Sequence, residues 1–243
     1  MTRIATRFLL PLTIALLLLT LAALNAQQPR ENAAAVARRQ AAVKNDFDAH
    51  RPPLVFRAEW KRQDAPQHPV KQDDLIDQRV ELKLYGDGKN IVWTQHAQEP
   101  TYAFTGLCET NCAVAFRDKA NYVDLTGLAR IRWRSMQTGF HLLRPILKLA
   151  DGTWIAGDYA DGATLDWRES DITLADLRWR RLDMTKVVEF PDGKWADHPD
   201  LSKVDEIGFT DLSIGPGHGP RAPASRVAWL EVYGNPVRRP SSQ

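Results

Sequence analysis

From residue 54 onward the chain alternates apolar and polar positions in short runs broken by Gly, Pro and Asp. In residues 80–85, Val80, Leu82 and Leu84 fall on one side. Residues 131–135, 142–149, 179–184, 207–212 and 227–233 carry similar apolar runs. Successive side chains of a strand point to opposite faces, so a period of two predicts strands with one buried face. Shorter strands are expected at 54–60, 91–94, 102–105, 113–117 and 153–156. Gly86-Asp87-Gly88, Ala150-Asp151-Gly152, Asp161-Gly162 and Pro191-Asp192-Gly193 read as turns. Residues 63–74 and 215–223 read as loops, and 173–177 as a helical turn. About ten short strands without a βαβ rhythm predict an all-β fold, an antiparallel β-sandwich of jelly-roll type.

One pattern occurs twice. Asp124-Leu125-Thr126 leads into Ala129, Ile131 and Trp133, and Asp200-Leu201-Ser202 leads into Val204, Ile207 and Phe209. Asp and Ser/Thr side chains hydrogen-bond the backbone of a tight turn, and the apolar run after each turn suits a half-buried strand. The repeat is expected to feed the two opposed layers of the sandwich.

The N-terminus follows a different pattern. Arg3 and Arg7 precede an uncharged apolar stretch at 8–24, and Leu24-Asn25-Ala26 is a small-residue cleavage site. This reads as a signal peptide over residues 1–26. The stretch is short for a span of ~20 residues and contains Pro11, so no stable membrane span is expected after cleavage. A helical or flexible leader is expected at 27–53, the sandwich at 54–236 and a frayed tail at 237–243. The expected location is periplasmic or secreted.

Removing Arg3 and Arg7 takes the formal charge from +2 to zero. Bulk attraction to polyanions is thereby excluded, and nucleic acid is not an expected partner. The two cysteines, Cys108 and Cys112, lie in a polar turn and read as a small local disulfide in an oxidising compartment.

Three segments carry a family likeness: Asp124 to Trp133, the Trp-x-x-Leu strand at Trp179 to Leu182, and Asp200 to Phe209 followed by Val227 to Tyr233. Together they resemble the galactose-binding-like jelly rolls of carbohydrate-binding modules and related exported bacterial proteins. That resemblance covers about half of the mature chain and implies a sandwich with a saccharide ligand. Trp133-Arg134 and the stretch from Gly139 to Arg144 are also similar to the 3-keto-disaccharide hydrolase-like family, which implies a glycan-processing activity.

Two constellations are candidate ligand sites. With Ile131 and Trp133 inward, Arg130, Arg132 and Arg134 share the opposite face; Arg144 and Lys148 share a side, as do Arg178 and Arg180. Guanidinium forks match carboxylate and sulfate, and Trp154, Tyr159 and Trp167 offer rings, so an anionic sugar is one expected occupant. The other reading is a solvated face where the arginines pair with Asp158, Asp161, Asp166, Asp171 and Asp183. The second constellation is the segment 151–167, where Trp154, Asp158, Tyr159 and Trp167 suit a neutral sugar. Its loop oxygens also suit a structural calcium ion, and buried tryptophans beside turn aspartates remain an equal alternative.

For catalysis, His141, His198, His218, Glu169, Glu189, Glu206 and Glu231 are available, but none has a spacing that implies joint action. Glu231 is expected to face outward. No nucleophile elbow, phosphate loop or His-Glu-x-x-His helix is present. The expected function is non-catalytic carbohydrate binding. A glycan-processing hydrolase or lyase and a structural envelope protein are the alternatives.

Overall fold

The computed structural model describes residues 38–39, 51–212 and 224–240. The chain divides into two units, Met1–His50 and Arg51–Gln243. Of the first unit only Arg38 and Arg39 are described; both are helical and exposed. The expected signal peptide, most of the leader, and His218 lie outside the described residues.

The second unit is all-β among the described residues, with seventeen strands. They are β1 (Leu54–Glu59), β2 (His68–Pro69), β3 (Val80–Gly86), β4 (Val92–Thr94), β5 (Tyr102–Phe104) and β6 (Cys112–Asp118). Next come β7 (Asn121–Asp124), β8 (Arg130–Gln137), β9 (Leu143–Leu149), β10 (Trp154–Gly157), β11 (Arg168–Thr173) and β12 (Trp179–Asp183). The last are β13 (Val188–Glu189), β14 (Trp195–Ala196), β15 (Val204–Asp211), β16 (Ser225–Tyr233) and β17 (Asn235–Arg238). Residues 173–177 form the expected helical turn, as a 3-10 turn over Leu174–Asp176.

The strands build an antiparallel sandwich. One sheet runs β11-β8-β16-β5-β4-β2, with β1 beside β16; the other runs β13-β12-β10-β9-β15-β6-β3. At the rim of the second sheet, β14 joins β12, and β7 joins both β15 and β17. At several points consecutive strands change sheets: β8, for example, lies in the seven-stranded sheet and β9 in the ten-stranded one.

The repeated turn works as expected. Asp124 Oδ1 accepts the Thr126 N–H at 2.9 Å, and Asp200 Oδ1 accepts the Ser202 N–H at 2.9 Å. The following strands, β8 and β15, enter opposite sheets. The two turns are also bonded to each other, since the Leu125 N–H donates to the Leu201 carbonyl at 2.8 Å. One polar device used twice therefore forms a seam between the layers.

Between the sheets lie Trp60, Trp93, Phe116, Ile131, Trp133, Leu147, Ile155, Trp179, Ile207 and Phe209. Four of the eight tryptophans thus fill the core, while Trp154, Trp167, Trp195 and Trp229 lie on outer faces or edges. Two core indoles donate to backbone carbonyls: Trp60 Nε1–H to Val227 at 3.0 Å, and Trp93 Nε1–H to Lys61 at 3.1 Å. Gly208 on β15 is a site of close approach, where a Cβ would stand 1.9 Å from the Val114 carbonyl oxygen.

Several strands were not legible as such in the sequence. Residues 168–173 form edge strand β11, and the chain end pairs with β7, Val237 opposite Tyr122. The sheet runs past the boundary drawn at residue 236. Arg239 then holds the end down, its guanidinium over the Tyr122 ring at 4.1 Å and 2.6 Å from Asp205 Oδ1. Cys108 and Cys112 form the expected disulfide.

Candidate functional site

The expected ligand residues divide among three places. Arg132, Arg134 and Trp167 lie on the outer face of the seven-stranded sheet. Arg144 and Trp154 lie on the outer face of the ten-stranded sheet. Tyr159 packs against the core at one end, its ring 6.3 Å from that of Trp133. Asp158 is exposed, and its Oδ1 accepts the Arg178 N–H at 3.0 Å.

The segment 151–167 is accordingly not one platform. Asp161, expected as a surface turn acid, is only 2% exposed and bridges to Leu143. It accepts hydrogen bonds from Trp133 Nε1 at 2.6 Å, Tyr159 Oη at 2.6 Å and Ser170 Oγ at 2.7 Å, with Arg168 Nη2 at 2.7 Å. A buried carboxylate needs such a full complement of donors. Burial, together with Asp161, holds the Tyr159 hydroxyl above the usual tyrosine range. Asp166 Oδ1 accepts the Trp167 N–H. These loop oxygens are spent on different local bonds. Among the described residues no three His, Cys, Asp or Glu side chains converge as a metal site.

On the ten-stranded sheet the outer-face charges are closed pairs. Glu206 accepts from Lys148 Nζ at 2.8 Å and from Tyr85 Oη at 2.6 Å. Arg144 donates to Glu189 Oε1 and, twice, to the Gly157 carbonyl. Arg117 pairs with Asp205 at 3.0 Å. Trp154 is buried edge-on against Tyr85, with ring centroids 4.9 Å apart.

The seven-stranded sheet has two unlike halves. In one, Arg130 pairs with Asp171 at 3.0 Å, and Arg132 reaches Glu169 at 3.2 Å and Glu231 at 3.3 Å. Glu231 faces outward, as expected, yet is nearly buried. It also accepts from Arg57 Nη1 and, at 2.9 Å, from Tyr233 Oη. The solvated-face reading thus holds for Arg130 and Arg132, although only Asp171 of the aspartates proposed from sequence takes part, sharing the pairing with Glu169 and Glu231.

The other half is open. Arg134, next along the outward row of β8, makes no ion pair or hydrogen bond among the described residues; its guanidinium lies 6.0 Å from the Trp167 ring. Trp167 packs on Tyr102 at 5.3 Å, and Arg226 on β16 lies over Phe104 at 5.1 Å. Burial and the nearby Glu99 carboxylate raise the Tyr102 hydroxyl above its ordinary range, while Arg226 pulls it back. Two buried polar atoms here have no partner, Trp167 Nε1 and Thr94 Oγ1. Thr94 stands directly opposite Tyr102 in the β4–β5 register, hence on the same face. Sequence reasoning found Arg134 and Trp167 but missed Tyr102, Thr94 and Arg226. The signal for Arg226 was its alternation with the inward Val227.

Among the described residues the hydrolytic candidates do not assemble as a nucleophile, base and orienting acid. His141 Nδ1 is 2.6 Å from Asp211 Oδ2, and the Ser225 hydroxyl donates to the same oxygen at 2.8 Å. The carboxylate stands between the other two groups, whereas a serine nucleophile requires the imidazole in that position.

No protein-family model matches the chain, and no curated protein does. Among solved structures, the chain is similar to the family 11 carbohydrate-binding module of the cellulosomal cellulase Lic26A-Cel5E of Clostridium thermocellum. That match has TM-score 0.36 and 13% identity over 64% of this chain and 83% of that one. A family 11 module from the same organism, in complex with a β-1,3-1,4-mixed-linked tetrasaccharide, has TM-score 0.36 and 12% identity over 75% and 98%. PfGH50B has TM-score 0.39 and 8% identity over 65% of this chain and 23% of its own.

Proposed function

We propose that this chain is an exported, non-catalytic carbohydrate-binding β-sandwich protein whose ligand lies on the open half of the seven-stranded sheet. The observation that carries this reading is the group around Tyr102. Trp167 offers a partly exposed ring just before β11, packed on Tyr102 and beside Arg134, which makes no ion pair among the described residues. A sugar has an apolar face that stacks on a ring and hydroxyls that satisfy donors and acceptors at its edge. Export is supported by the residue pattern of positions 1–26 and by the disulfide.

The test is a glycan array followed by titration of the strongest ligand. Binding to at least one glycan, weakened at least tenfold by Trp167→Ala with unfolding temperature little changed, is the expected result. Absence of binding to every neutral and acidic glycan, or a Trp167→Ala protein that binds as well as the parent, overturns the proposal. Release of new reducing ends from a bound glycan replaces it with the glycan-processing reading.

A further inference from the structure

The carbohydrate-binding reading leaves the chemical class of the glycan open, and the charges of the same face bear on it. We infer that the ligand is an anionic glycan, and that Arg134 and Arg226 together recognise its carboxylate or sulfate groups; this rests on the carbohydrate-binding reading.

The two arginines belong to adjacent strands. In the β8–β16 register Arg226 stands opposite Met136 and Arg134 opposite Trp229. Met136 and Arg134 are two residues apart on β8, so they share a face, and Arg226 and Arg134 are diagonal neighbours on it. The β-bulge between Val227 and Trp229 places Ala228 and Trp229 on the outer side together, beside this diagonal. Phe104 lies under Arg226, and Tyr102 and Trp167 complete the bed.

Two like charges so placed repel unless an anion lies between them, and among the described residues no carboxylate is in ion-pair contact with either. Arg226 donates to the Thr138 hydroxyl at 3.3 Å and makes no ion pair with a described residue. Glu169 is opposite Arg134 in the β11 register, but its carboxylate is committed to Arg132 at 3.2 Å. Asp166 is turned to the Trp167 backbone, and Glu99, though near Tyr102, forms no ion pair with Arg134 or Arg226. The other arginines of the outward row of β8, Arg130 and Arg132, are each paired with carboxylates. An exogenous carboxylate or sulfate fits the forks of the open pair, and the rings beside them take the sugar to which it is attached. Two guanidiniums are too few for the basic stripe that a nucleic acid requires, and the chain without residues 1–26 has no net charge.

The test compares oligogalacturonate as the carboxylate probe, a sulfated galactan as the sulfate probe, and carboxyl-reduced oligogalacturonate as a neutral counterpart. The purified protein is expected to bind one acidic probe at least tenfold more tightly than the neutral one, with affinity falling as salt rises. Arg134→Gln and Arg226→Gln are each expected to lower acidic binding at least threefold. The double variant loses the preference for acid, and Arg→Lys at either position restores part of the loss. Arg144→Gln, on the other sheet, leaves the preference intact, and thermal unfolding of each variant checks the fold. Equal affinity for acidic and neutral probes, or a folded double variant that still prefers acid, overturns the inference while leaving carbohydrate binding in place. Binding of oligo(dT) as tight as that of the acidic glycans also overturns it. Failure of every glycan overturns both readings.

Discussion

The two outer faces of the sandwich are built from the same residue types and differ in how their charges are closed. On the ten-stranded sheet, Lys148, Arg144 and Arg117 each have a carboxylate within 3.0 Å, and the rings of Tyr85 and Trp154 pack on each other. On the seven-stranded sheet the same closure covers Arg57, Arg130 and Arg132 and then stops; Arg134 and Arg226 have rings beneath them and make no ion pair among the described residues. A closed pair contributes to the fold and leaves little affinity for an added ion. An open guanidinium contributes little to the fold and keeps its affinity. The comparison teaches that arginine content does not distinguish the two faces; the closure of each charge by an internal carboxylate does.

The largest expected effect is on the closed side. Glu206 is 2% exposed, and Glu206→Ala leaves the Lys148 ammonium and the Tyr85 hydroxyl without their acceptor. A loss of about 2–3 kcal/mol in chemical denaturation is expected. Glu231→Ala, which frees the half-buried Arg57 and Arg132, is expected to cost about 1–2 kcal/mol. If either variant is as stable as the parent, these pairs do not hold the face closed.

An intermediate effect is expected from alkaline titration. Burial lowers the Lys148 pKa, but hydrogen bonding to Glu206 and the charges of Glu206 and Asp205 more than offset it and leave the ammonium raised; burial and Glu206 also push the Tyr85 hydroxyl up. Both groups hold their protons more tightly folded than unfolded. Their contribution is therefore complete below the ordinary lysine and tyrosine range, about pH 10, and is lost as pH rises above it. The urea midpoint of the parent is expected to fall more between pH 8 and pH 11 than that of a Tyr85→Phe/Lys148→Met variant. Equal falls would contradict the closed-face account.

The smallest effects on stability are expected on the open side. Arg134→Gln is expected to change stability by less than about 0.5 kcal/mol, because no ion pair or hydrogen bond with a described residue is lost. The loop tips at one end of the sandwich present Phe140 and Leu165 to solvent at 96% and 106% relative exposure. Phe140→Ser and Leu165→Ser are expected to be equally mild in thermal unfolding. A large loss for Arg134→Gln would show that its charge is compensated after all, and the comparison of faces would fail.

The architecture was legible because its signals are local. Asp124 and Asp200 bond backbone two residues ahead, and the period of two after each turn reports one buried face. The site was legible only strand by strand. Arg134 and Arg144 lie on consecutive strands and read as neighbours, but the crossing from β8 to β9 changes sheets and turns them away from each other. Trp154 and Trp167 are separated in the same way by the passage from β10 to β11. Tyr102 sits in a three-residue strand, too short to show a period. The buried role of Asp161 depends on Trp133, Tyr159, Arg168 and Ser170, which meet only after the layers pack.

The most direct test of the central claim is the indole N–H spectrum of the eight tryptophans during titration with a bound acidic glycan, assigned by single substitutions. The Trp167 signal is expected to shift, while those of Trp154 on the closed face and Trp133 in the core stay in place. A shift at Trp154 with Trp167 unmoved would contradict the account and transfer the binding surface to the ten-stranded sheet.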